Sequence, residues 1–184
     1  MNRCCENFFR ALLAGVVALA LLRAPAARAD EAAEQKVKAA FVPHLIAFVT
    51  WPENSLTGTN DPIRIGILGD FPLGEDFAAV LAKQSIQGHP LLVTHHRKIE
   101  DALTCHVLLV GASEKEKLPA ILAATANQPI LTIGDTAGFA AAGGVINFIR
   151  EDGKIRFEIN PSVASQAHLK ISSRLLQVAR LVQP

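Results

Sequence analysis

The chain has 184 residues, 50% of them hydrophobic and 19% charged, which is too apolar for a disordered or purely solvating segment. Eighteen Lys and Arg against seventeen Asp and Glu leave a formal charge of +1, so there is no electrostatic footprint for a nucleic-acid backbone. Nucleic acid is excluded as an expected partner.

The first 29 residues read as an export signal. Arg3 and Arg10 make a basic front, Ala11 to Leu22 is an apolar run, and Ala27-Arg28-Ala29 is an A-x-A cleavage site before Asp30. Twelve residues at a helical rise span about 18 Å, short of the roughly 30 Å hydrocarbon core, so cleavage is expected rather than a permanent anchor. Cys4 and Cys5 precede the apolar run and leave with it. Removing this segment takes away four arginines and one glutamate, leaving 14 basic and 16 acidic side chains, a net charge of −2. Asp30 to Pro184 then makes one domain of 155 residues, enough to bury a core. It keeps a single cysteine, Cys105, so an intrachain disulfide is impossible even in an oxidising compartment. The apolar neighbours of Cys105 predict an inert core thiol, with an intermolecular bridge as the alternative.

From Glu31 to Trp51 the spacing is helical, with Val37, Phe41, Leu45 and Phe48 on one stripe. Pro43 predicts a kink or break, and Trp51-Pro52 the end of the element. Ser55 to Asp61 is a polar loop. Ile63 to Leu68 predicts a strand closed by Gly69-Asp70, followed by a helix from about Pro72 to Lys83 carrying Phe77, Val80 and Leu81. After the turn-like Gln87-Gly88-His89-Pro90, Pro90 to His95 predicts a second strand, Ile99 to Leu103 a short helix and Cys105 to Val110 a third strand. Ser113-Glu114-Lys115-Glu116 has the form of a capping box. Pro129 to Ile133 predicts a fourth strand, again closed by Gly-Asp at Gly134-Asp135.

The pattern then changes. Gly143-Gly144 leads into Val145 to Arg150, and Asp152-Gly153 is a hairpin signal before Lys154 to Asn160. Ile155, Phe157 and Ile159 alternate with Arg156, Glu158 and Asn160, predicting one core face and one polar face. Asn160-Pro161 starts a helix, and Ile171, Leu175, Val178 and Val182 keep helical spacing. The expectation is a single three-layer α/β domain: a mostly parallel sheet, a C-terminal antiparallel hairpin and helices on both faces.

Catalytic motifs are missing: no G-x-S-x-G, Walker loop, G-x-G-x-x-G, C-x-x-C or H-E-x-x-H occurs, so neither an enzyme nor a bound cofactor is expected. His95 and His96 are adjacent on a predicted strand and point to opposite faces, so they cannot share one ion. A metal site from His89, His95 or His106 across neighbouring strands is the alternative to scattered histidines that are satisfied or solvated. Two surfaces remain. Phe41, Leu45, Phe48 and Trp51 carry more large apolar surface than a short amphipathic helix requires, and serve either to pack on the sheet or to anchor a partner. Asp70 and Asp135 follow predicted parallel strands, where open α/β sheets place ligands. With Gly143 and Gly144 they make a candidate small-ligand pocket, or else caps and turns. Arg156 and Glu158 are either partner contacts or surface pairs.

Several segments together resemble the YfiR-like family of exported bacterial proteins. They are Lys36-Val37-Lys38-Ala39-Ala40-Phe41 with Phe48 and Trp51-Pro52, Ile67-Leu68-Gly69-Asp70, Cys105-His106, Leu131-Thr132-Ile133-Gly134-Asp135 with Gly138-Phe139, Gly143-Gly144-Val145-Ile146-Asn147-Phe148, Arg156-Phe157-Glu158-Ile159-Asn160 and Leu169-Lys170-Ile171-Ser172-Ser173. In order, they cover nearly the whole mature chain. The resemblance implies a periplasmic α/β protein without catalytic activity that binds the periplasmic domain of an inner-membrane diguanylate cyclase and represses it, limiting biofilm formation. It also implies possible homodimers and redox sensing through cysteines, for which Cys105 has no intrachain partner. The family's Leu-Lys-Ile-Ser-Ser segment usually follows a glycine, where this chain has His168, and a break in the C-terminal helix is expected between His168 and Ile171. A periplasmic small-ligand-binding protein is the alternative.

Overall fold

Val107–Val110 forms a strand buried on both faces, and the architecture follows from it. A computed structural model describes residues 24–56, 58, 60–74 and 76–183, with side chains from residue 30 onward. Val107 and Leu109 pack with Leu45, Ile65 and Ile133 on one side of the sheet. Leu108 and Val110 pack with Leu68, Ile121 and Phe139 on the other. Successive strand side chains point to opposite faces, so a continuous apolar run needs cover on both.

In chain order the first elements are α1 (Ala24–Ala47), β1 (Val49–Thr50), β2 (Ile63–Leu68), α2 (Phe77–Leu81), β3 (Ser85–Ile86) and β4 (His89–His96). Then come α3 (Ile99–Ala102), β5 (Val107–Val110), a 3-10 turn (Ala112–Lys117), α4 (Leu118–Thr125), β6 (Leu131–Gly134) and β7 (Ile146–Glu151). β8 (Lys154–Ile159), α5 (Pro161–Gln166), β9 (Lys170–Ile171), α6 (Ser173–Val178) and β10 (Arg180–Leu181) complete the chain. The main sheet runs β10-β8-β7-β6-β5-β2-β4-β3, and β1 pairs antiparallel with β9 in a separate ribbon. Pairing from β7 to β4 is parallel; β7–β8 and β3–β4 are antiparallel. Residues of α1, α2, α5 and α6 enter the core on one face, and residues of α3 and α4 the core on the other. The fold is the expected mostly parallel α/β domain with an antiparallel hairpin. The whole sheet lies in the unit Lys36–Pro184, and the preceding unit, Met1–Gln35, contains the start of α1.

Of the expected leader, residues 1–23 with Cys4 and Cys5 lie outside the described residues, and the backbone of 24–29 belongs to α1. Among the described residues no helix is long and apolar enough to cross a membrane.

Local departures from the sequence reading have identifiable causes. α1 runs through Pro43 unbroken and stops at Ala47, before Trp51. The proline costs about 3 kcal/mol. Val42, Leu45 and Ile46 beside it are at most 1% exposed, and burial of each returns roughly 1.5–3 kcal/mol, so packing wins. The helix expected over Pro72 to Lys83 shrinks to Phe77–Leu81, because Gly74 takes φ +79, which no right-handed helix passes through. The Ser113 capping box does not form: Ser113 Oγ instead accepts the Asp70 N–H at 2.8 Å, and α4 begins at Leu118 with Pro119 in its first turn. Gln87 and Gly88 both take positive φ (54 and 90), and turn β3 back onto β4.

At the C terminus Asn160, expected on a polar face, is fully buried. Its Oδ1 accepts the Val163 N–H at 3.2 Å and its Nδ2 donates to Ala140 O at 2.9 Å, so it caps α5 from inside. The break falls at His168, which takes φ +57. Its N–H donates to Ser165 O at 3.0 Å, and the Leu169 N–H to Ala164 O at 2.9 Å, a Schellman ending with histidine where glycine is usual.

Candidate functional site

The face of α1 that meets the sheet is Lys38, Val42, Leu45 and Ile46. The stripe expected from spacing lies along one edge of that face. Leu45 is buried, Phe41 is half-buried, and Val37 and Phe48 are 41% and 38% exposed. Both stripes satisfy a helical period; a lysine in the true one disguises it. Trp51 is a correction: it is 9% exposed, and its Nε1–H donates to His106 O at 3.2 Å, so it belongs to the core and offers no docking surface.

The edge of α1 forms a groove of 430 Å³ with α6. Val37, Phe41 and Phe48 stand on the α1 side, Leu175 and Val178 on the α6 side, with Leu45 and Phe157 below. Phe41 is fixed by the sheet: its ring centroid lies 6.0 Å from that of Phe157 and 6.4 Å from that of Phe148, which in turn lies 6.4 Å from that of Phe71. Edge-to-face and tilted rings at such separations attract beyond their buried area. Phe48 is held through its backbone, since its carbonyl accepts the Ser172 N–H at 2.9 Å while Val49 pairs with Ile171. Those contacts bring α6 beside α1. His44, exposed and bonded through Nδ1 to Ala40 O at 2.8 Å, is the polar member of the lining. The arrangement can take up an apolar side chain; it supplies no nucleophile.

The four residues expected at a ligand pocket are not brought together. Asp70 is exposed after β2. Asp135 turns to α1 and pairs with Lys38 Nζ at 3.5 Å, the two side chains 7% and 8% exposed. Gly144 lies against Phe139: a Cβ on it would come within 2.0 Å of that ring, and one on Gly134 within 2.4 Å. Phe139, fully buried, therefore fills the space between these two glycines. Gly143, at φ +115, lines a different cavity, of 380 Å³, beside Thr132 and α4.

Arg156 is exposed, and Glu158 accepts from Asn147 Nδ2 at 3.4 Å and lies 3.7 Å from Arg180 Nε, a surface pair. Cys105 is buried 3.5 Å from His96 Nε2, and burial raises its thiol pKa. Among the described residues no group of three His, Cys, Asp or Glu side chains could hold a metal ion.

The sequence reading left two features unassigned: it gives Lys38 no role of its own, and it counts His106 among six scattered histidines, satisfied or solvated, without naming partners. His106 is 4% exposed and bonded on both ring nitrogens. Neither carries a local signal, because their partners are remote in sequence.

A comparison with curated proteins finds no match. The YfiR/HmsC-like family model matches residues 35–180, which include all of the sheet but its last residue, Leu181, and the groove between α1 and α6. The chain belongs to the YfiR/HmsC-like family.

Proposed function

We propose that the processed chain is a non-enzymatic periplasmic regulator that docks on the periplasmic domain of an inner-membrane diguanylate cyclase and represses it. The family is one of periplasmic, regulatory, non-catalytic proteins linked to such cyclases, which supports the compartment and the class of partner. The export signal expected in residues 1–29 agrees with that compartment. The observation that carries the docking mode is the half-open groove: Phe48 and Val37 at its rim are each about two-fifths exposed over a buried floor. Aromatic and aliphatic anchors that pocket a partner side chain dominate interface energetics. Binding to one conformational state of the cyclase shifts its population by the differential affinity.

The experiment is photo-crosslinking in intact cells from Val37 and Phe48. Capture of an inner-membrane cyclase, abolished by Phe48→Glu together with a rise in cyclic-di-GMP, is the expected result. Cross-links confined to a second copy of the chain would reassign the groove to a homodimer. Substrate turnover by the purified protein would overturn the reading altogether.

A further inference from the structure

We propose that His106 is an acid-released clamp on the segment Trp51 to Ser55, opened when its ring takes up a proton from solvent. One residue ties three parts of the chain. Its Nδ1 accepts the Arg64 backbone N–H at 3.0 Å, and its Nε2 lies 3.1 Å from Ser55 O. Its carbonyl accepts from Trp51 Nε1 at 3.2 Å and from the Leu131 N–H at 2.8 Å, and its own N–H donates to Arg64 O at 2.9 Å.

Only the neutral ring with hydrogen on Nε2 satisfies this geometry, since Nδ1 must accept and Nε2 must donate. A proton on Nδ1 would face the Arg64 N–H, leaving two donors at 3.0 Å. The Arg64 guanidinium, held by Thr104 O at 2.7 Å through Nε, is 3.3 Å from Nε2 and repels the charge. The other groups facing the ring are the Ser55 carbonyl, whose bond to Nε2 favours protonation, His89, which opposes it, and Asp61, which favours it. Burial first, then Arg64, hold the pKa below the ordinary 6.5. A charged ring therefore leaves its site, and the Ser55 contact goes with it. Trp51, the only tryptophan, is bonded to the same residue and reports the event. Phe48 of the groove lies three residues before it, but the clamp holds whatever docks there.

The test is a titration of the processed protein from neutral pH downward, following Trp51 fluorescence and its indole N–H resonance. The clamp predicts a reversible transition with a midpoint below 6.5 while far-UV circular dichroism stays constant. The transition persists in His89→Gln and disappears in His106→Gln, which can offer an acceptor and a donor without titrating. In Arg64→Met the midpoint rises. No transition before global unfolding, or one that survives in His106→Gln, overturns the clamp; should His106→Gln fail to fold, an unmoved midpoint in Arg64→Met overturns it equally.

Discussion

Lys38 in α1 and Asp135 just after β6 meet at 3.5 Å with neither side chain more than 8% exposed. Two charges out of water hold each other, and removing one takes this ion pair from the other where it is buried. Loss of one partner from a buried pair costs about 3–5 kcal/mol, whereas replacing both by apolar groups is often close to neutral. Lys38→Met is expected to lower unfolding stability by that amount in urea titrations, and Lys38→Met with Asp135→Leu to recover most of it. Equal losses in the single and double variants would show that the pair contributes nothing by pairing.

Phe139 and the glycines around it make a second test. A Cβ on Gly144 would lie 2.0 Å from the Phe139 ring, and overpacking typically costs 1–3 kcal/mol. Gly144→Ala should destabilise the protein by at least about 2 kcal/mol, and Phe139→Leu in the same chain should remove part of that cost. Simple addition of the two effects in a double-mutant cycle would rule out the direct clash.

The buried neutral state of His106 has a signed consequence for stability. Its folded pKa lies below the ordinary 6.5, so as pH falls through 6.5 the unfolded chain binds a proton before the folded one does. Stability therefore declines with acid, beginning near 6.5 and continuing down to the lower folded value. A single proton gives a slope of at most about 1.4 kcal/mol per pH unit. His106→Gln is expected to flatten that slope; an unchanged slope would assign it to other groups.

His168 occupies the left-handed position at the end of α5, with φ +57. Side chains with a Cβ lose roughly 1–2 kcal/mol there, and glycine gives back part of that gain as unfolded-chain entropy. His168→Gly should raise stability by about 0.5–1 kcal/mol. A lower melting temperature would mean that the imidazole makes a stabilising contact.

Sequence alone determined the layered α/β class, the β7–β8 hairpin at Asp152-Gly153 and the Asn160-Pro161 helix start. Each is written locally, in strand periods, turn chemistry or cap residues a few positions apart. Tertiary structure decided which side of α1 faces the sheet, because Val37-Phe41-Leu45 and Lys38-Val42-Leu45 share one period and the pairing of Lys38 with Asp135 forms only in the folded chain. It also turned Trp51 inward, seated Phe139 between Gly134 and Gly144 and satisfied both nitrogens of His106. Lys38, Trp51 and His106 meet partners dozens of residues away, Phe139 meets glycines five residues to either side, and such hydrogen-bond and steric complementarity exists only once the chain has folded.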